Sequence, residues 1–78
     1  MVSDISSYMK TLTAIVHKEE DMYVAECPEL GTVSQGRTVD EAVANLKEAT
    51  ELYLEEFPDK KWDPTILKTF EVDEVAKA

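Results

Sequence analysis

An α+β fold of order β-β-β-α-β, a two-layer sandwich in which an antiparallel meander carries one main helix, is what this sequence predicts. Three observations lead to it. Between Lys10 and Gln35, short runs of alternating apolar and polar residues are separated by polar or Pro/Gly-containing turns. From Val39 to Phe57 apolar residues recur at steps of three and four, the spacing of a helix with one buried stripe. From Thr65 to Val72 alternation returns, which predicts a closing strand. With 78 residues the chain supports a single domain spanning 1–78, with 1–9 as a polar, Ser-rich lead-in and 73–78 as a short tail.

The elements follow in order. Lys10 to Lys18 reads as a strand, with Leu12, Ala14 and Val16 on one face and Thr13, Ile15 and His17 on the other. Glu19-Glu20-Asp21 is a polar turn, and Met22 to Cys27 a second strand with Met22, Val24 and Glu26 opposite Tyr23, Ala25 and Cys27. A hairpin pairing Lys18 with Met22 sets His17 opposite Tyr23 and Cys27 opposite Thr13. Pro28 has no N–H for a sheet ladder, so the strand ends beside it; Pro28-Glu29-Leu30-Gly31 turns the chain, with Leu30 packing under the turn. Thr32 to Gln35 is a short third strand, and Gly36 allows the corner into the helix. Thr38-Val39-Asp40-Glu41 has the Thr-x-x-Glu form of a capping box. The stripe Val39, Ala42, Val43, Leu46, Ala49, Thr50, Tyr53, Leu54 and Phe57 faces the core until Pro58 stops the helix. In the last strand, Ile66, Lys68, Phe70 and Val72 lie opposite Leu67, Thr69 and Glu71.

One helix covers one face of a sheet, yet both faces of the hairpin carry apolar residues. Leu12, Ala14, Val16, Met22 and Val24 are the stronger set for the helix side, which leaves Ile15, Tyr23, Ala25 and Cys27 as an oligomer face. The assignment inverts if the register differs, but one face still needs a cover. A homodimer or larger assembly is therefore expected, since a core this small commonly gains stability from disulfides, metals or self-association. The lone Cys27 forms no intrachain disulfide and fits a reducing compartment, and Cys27 with the single His17 falls short of a structural zinc set.

Asp and Glu number 17 against 8 Lys and Arg, a formal net charge of −9. That balance opposes binding to a phosphate backbone and favours a basic partner, or else serves solubility alone. No run is apolar enough to span a membrane and no signal peptide is recognisable at the start, so the expected location is the cytoplasm.

The search for chemistry predicts no enzyme, no metal and no cofactor. In the hairpin register above, His17 and Cys27 stand roughly 13 Å apart at about 3.3 Å per residue, too far for a dyad. His17 reads as a surface residue and Cys27 as a small hydrophobe. A two-metal nuclease needs converging carboxylates, but the first strand has none and Glu26 is the one acid within the first three strands. Phosphate-loop, Ser-His-Asp and dinucleotide fingerprints are missing. The back of the helix is more informative: Glu41, Glu48 and Glu55 recur every seven residues, flanked by Glu51 and Asp40, with Leu52 among them. This acidic ridge is either a solvated face or a docking site for a basic protein.

The runs Leu12-Thr13-Ala14-Ile15-Val16-His17-Lys18, Tyr23 through Gly31 with its Glu26-Cys27-Pro28-Glu29-Leu30, Val33-Ser34-Gln35-Gly36, and Thr38 through Leu54 resemble the HicB-like antitoxins. Thr69-Phe70-Glu71-Val72 is similar to the closing strand of that family. The resemblance implies a partial ribonuclease H-like fold without nuclease carboxylates, an assembly of two or more copies, and a function in binding and neutralising a small basic HicA-like toxin that cleaves mRNA. Tyr23, Glu26 and Glu29 beside the motif join Glu41, Glu48, Leu52 and Glu55 as candidate partner-binding residues. The sequence reaches Ala78 without the DNA-binding module that many relatives append, which together with its acidity argues against direct operator binding. The alternative function is a stand-alone oligomeric binding or scaffold domain with no toxin.

Overall fold

The computed structural model describes residues 10–74. It contains β1 (Ile15–Glu19), β2 (Met22–Cys27), β3 (Thr32–Gly36) and α1 (Val39–Glu56), an α+β arrangement with the helix packed on a three-stranded antiparallel sheet of order β1-β2-β3. The expected lead-in 1–9 and the end of the expected tail, 75–78, lie outside the described residues.

The hairpin closes one residue tighter than the sequence suggested. Glu19 pairs with Met22 and Lys18 with Tyr23, so Glu20-Asp21 is a two-residue loop. Glu20 adopts φ 56°, the positive value that lets so short a loop match the twist of the strands. A one-residue slip exchanges faces. Val16 therefore lies opposite Ala25 rather than Val24, and Tyr23, Ala25 and Cys27 turn toward the helix while Met22, Val24 and Glu26 turn away. This corrects the expected oligomer face: Tyr23, Ala25 and Cys27 belong to the core side, and Ile15 alone of that set faces outward. β1 is also shorter than expected. The register brings Pro28 level with Thr13, and a proline offers no N–H there, so pairing stops at Ile15–Glu26.

The core is small. Ala25, Cys27, Ala42 and Leu46 are buried, with Leu12, Val16, Tyr23 and Leu30 packed against them. Buried Thr50 shares a 2.8 Å hydroxyl contact with Thr32, which satisfies both groups under the helix. The strand residues beneath α1 are small because the helix comes close: a Cβ on Gly36 would sit 2.6 Å from the Ala42 backbone nitrogen. Gly31 is needed for a different reason, φ 81°, and its amide donates to the Cys27 carbonyl at 2.7 Å to close the turn.

The helix begins as its sequence indicates. Thr38 is extended, and its Oγ1 accepts from the Glu41 amide at 3.0 Å. The Glu41 carboxylate reaches back one residue further than in the usual capping box, accepting from the Arg37 amide at 2.6 Å. At the other end the Phe57 amide donates to the Tyr53 carbonyl at 3.0 Å, Pro58 follows, and the two rings meet tilted by 42° with their centres 5.0 Å apart. The last turn holds Glu55 and Glu56 and no basic residue, against the preference of the helix dipole.

The expected fourth strand does not form. Thr65–Val72 carries no strand or helix, and Ile66, Phe70 and Val72 are 83%, 84% and 74% exposed. The radius of gyration is 16.7 Å, against about 11 Å for a compact chain of this length. Alternation gave this segment one apolar face, but among the described residues it meets no strand edge.

Candidate functional site

Four surfaces can take a partner or a ligand, and the sequence-predicted residues are divided among them. The helix lies over β3 and β2 and barely reaches β1. Two apolar regions follow from that placement: the outer sheet face, and an open groove beside β1 on the helix side.

The first surface is the helix back. Glu48, Leu52 and Glu55 stand exposed on the face turned from the sheet, and Leu52 is 58% exposed. Glu41 shares that face, but its carboxylate is engaged by the Arg37 amide, so it supports the start of the helix. On one flank Lys47 meets Glu51 at 3.6 Å, an exposed i,i+4 pair worth a few tenths of a kcal/mol. Glu48 and Glu55 have no such neighbour among the described residues.

The second surface is the turn between β2 and β3. Glu29 was expected to point at a partner; instead its carboxylate braces the corner of the sheet. The Thr13 amide donates to Oε1 at 3.1 Å, the Thr13 hydroxyl to Oε2 at 2.7 Å, and the Cys27 thiol to Oε1 at 3.4 Å. Its partial burial pushes the Glu29 carboxyl up, but the Thr13 hydroxyl and amide, the Thr65 hydroxyl and its own backbone amide outweigh this and hold it at about 2. The pattern that could have revealed this role is Thr13 in the register position level with the Pro-Glu turn, which depended on the correct hairpin pairing.

The third surface is the outer sheet face, formed by Ile15, His17, Met22, Val24, Glu26, Val33 and Gln35. Ile15, Glu26 and Val33 are exposed. His17 is exposed, as expected, with Nε2 2.9 Å from Glu19 Oε2. Val24, not Tyr23, lies opposite His17, and Cys27 is buried on the other face, so the two cannot act together. Among the described residues no group of three or more His, Cys, Asp or Glu is placed to hold a metal. Tyr23, expected at an interface, is half-buried on the helix side with the Lys18 ammonium 5.9 Å from its ring centre.

The fourth surface was not anticipated. Leu12, Thr13, Ala14 and Cys27 on the sheet side and Val43, Leu46, Thr50 and Leu54 on the helix enclose an open groove of about 490 Å³, with Lys10, Lys47 and Glu51 on its lining. It exists because the helix is offset toward β3. The sequence showed the apolar stripe of the helix but not the offset, so Val43 and Leu54 read as core when each lines an open edge. At the mouth of this corner the Lys10 ammonium stands 5.3 Å over the Trp62 ring, where the chain returns from the helix.

No helix among the described residues is long and apolar enough to cross a membrane. No protein-family model and no solved structure matches the chain. Two curated proteins do. A UPF0150 protein of Helicobacter pylori is 50% identical over 44 residues, covering 55% of this chain and 61% of that protein. A UPF0150 protein of Synechocystis is 43% identical over 44 residues, covering 54% of this chain and 64% of that one. Their names state no activity, ligand or partner. The chain is thus similar to UPF0150 proteins along about half its own length and less than two thirds of theirs.

Proposed function

We propose that this protein is a non-enzymatic, antitoxin-type inhibitor that binds a small, basic, RNA-cleaving toxin through the back of α1. The observation that carries the reading is the exposed ridge Glu48, Leu52 and Glu55 on the helix face away from the sheet. The ridge ends in a helix turn with two acids and no base, a charge arrangement that costs a little stability in the isolated chain and is relieved by a cationic partner. An excess of 17 acidic over 8 basic residues supports the same choice of partner, as does the resemblance of the Tyr23–Gly31 and Thr38–Leu54 runs to HicB-like antitoxins. Glu29 and Tyr23 support the fold, which leaves the ridge and Glu26 as the partner-facing acids.

The test is co-expression with the product of the neighbouring reading frame, where a short basic protein containing a histidine is expected to co-purify and lose its toxicity. Reversing Glu48 and Glu55 to Lys should slow association about tenfold at low salt and flatten its salt dependence, because exposed charges act mainly on encounter. Folding stability should change by no more than a few tenths of a kcal/mol. Failure of any such product to bind or be inhibited overturns the reading. The exposed apolar segment after the helix favours a second one, a stand-alone oligomeric domain, which that failure would leave standing.

A further inference from the structure

We propose that Thr65–Val72 of one chain completes the sheet of a second copy, adding as a fourth strand at the β1 edge with its apolar face in the groove beside α1, in a reciprocal strand-exchanged dimer. With or without a toxin, two parts of the molecule each lack what the other supplies.

Among the described residues β1 pairs with β2 alone, so its outer edge presents unpaired backbone groups, and edges of this kind accept another strand. Beside that edge, Leu12, Ala14, Val43, Leu46 and Leu54 line a groove open to solvent. Thr65–Val72 is the complementary piece, with period-two alternation, β-branched and aromatic residues, and Ile66, Phe70 and Val72 on one face, all highly exposed. Charge agrees as well. Lys68 lies on the same face as Ile66 and Phe70, and Glu51 lines the groove.

The geometry at Thr65 favours a second copy over the chain's own edge. Thr65 is half-buried at the sheet corner next to the Glu29 carboxylate, and from Ile66 onward every described residue is exposed. The chain is thus held at the corner and then leaves the body, in a molecule 66 Å long beside 27 and 18 Å. A segment projecting from the same corner of each copy reaches a partner under two-fold symmetry, and each copy then donates and receives one strand.

The experiment uses the full-length protein at high micromolar concentration, as an equal mixture of uniformly ¹³C,¹⁵N-labelled and unlabelled chains. Isotope-filtered NOE spectra should show contacts from the Phe70 ring to Leu12 and Leu46 methyls between chains, and light scattering should give twice the chain mass. The Ile66→Asp, Phe70→Asp double variant should fold, since neither side chain touches the core, and run at the single-chain mass. Contacts seen only within a chain would assign the strand to its own sheet and overturn the exchange. So would a single-chain mass for the unaltered protein, a dimer whose interchain contacts fall on the outer sheet face, or a double variant that stays dimeric.

Discussion

Met22–Cys27 and Thr65–Val72 both alternate in the manner of strands, yet one is the centre of the sheet and the other projects into solvent. In β2, Ala25 and Cys27 are small residues buried under α1, with a strand on either side. In the later segment, Ile66, Phe70 and Val72 are larger and more apolar, and all three are exposed. Hydrophobicity therefore does not decide which stretch is buried. What separates them is a cover: β2 has a strand on either side through two-residue and four-residue connections, loops that cost little entropy to close, and α1 above it. The later segment is held beside Glu29 only at Thr65, and beyond it no described element packs on its apolar face.

The widest gap between the two regions should appear on truncating one large side chain in each. Leu46→Ala removes a buried residue shared by the core and the groove wall and should cost about 3 kcal/mol in urea unfolding, half or more of what a domain this small holds. Phe70→Ala, measured at sub-micromolar concentration where chains are separate, should change stability by less than about 0.5 kcal/mol. Equal losses would mean that Phe70 packs within its own chain and that the two regions are not different in kind.

A smaller effect tests why the folded region tolerates so tight a layer. Gly36→Ala places a methyl 2.6 Å from the Ala42 nitrogen and 2.9 Å from the Glu41 carbonyl carbon, both backbone atoms that cannot rotate away. The expected loss is about 2 kcal/mol, accompanied by amide shift changes from Arg37 to Ala42 as the first helical turn moves off the sheet. A loss below about 0.5 kcal/mol would show that the helix can slide at no cost, and that its offset toward β3 is not fixed by this contact.

Much of the folded region was legible because its signals are local. Thr38 and Glu41 cap the helix they were expected to cap, Pro28 and Gly31 shape the turn, and Pro58 ends α1. The errors share one physical origin. Whether Glu19 belongs to the turn or to the strand changes no local preference, yet it shifts the register by one and exchanges the faces of β2 against β1. Tyr23, Ala25 and Cys27 moved from the expected oligomer face to the core by that step alone. The Glu29 brace was hidden for the same reason, since Thr13 comes level with the turn only in the correct register. The last strand failed differently: Thr65–Val72 alternates in sequence yet forms no strand, because a pattern names a face without naming the partner that covers it.

Glu29 sits where the two regions meet, and acid should separate its contribution from the rest of the molecule. Its carboxylate takes the Thr13 amide and hydroxyl from the lead into β1 and the thiol from the end of β2, and lies beside Thr65, the last half-buried residue before the chain departs. The carboxyl is held at about 2, below the usual value of 4.5. A depressed carboxyl stabilises the folded state fully above its unfolded value, and that stability drains away as pH falls from about 4.5 toward 2, because the unfolded chain takes up the proton first. Glu29→Gln removes the charge while keeping the shape. The gap in urea midpoint between the two proteins should be widest above pH 5 and should close progressively below 4.5, while the other carboxylates titrate alike in both and cancel. Over the same range the Thr13 and Thr65 amide signals should shift in the unaltered protein but not in the variant, and those of Phe70 and Val72 should follow Glu29 in neither. A gap that stays constant with pH would place the stabilisation in packing rather than in the charged brace, and a Phe70 signal that tracks Glu29 would show the departing segment to be continuous with the folded body.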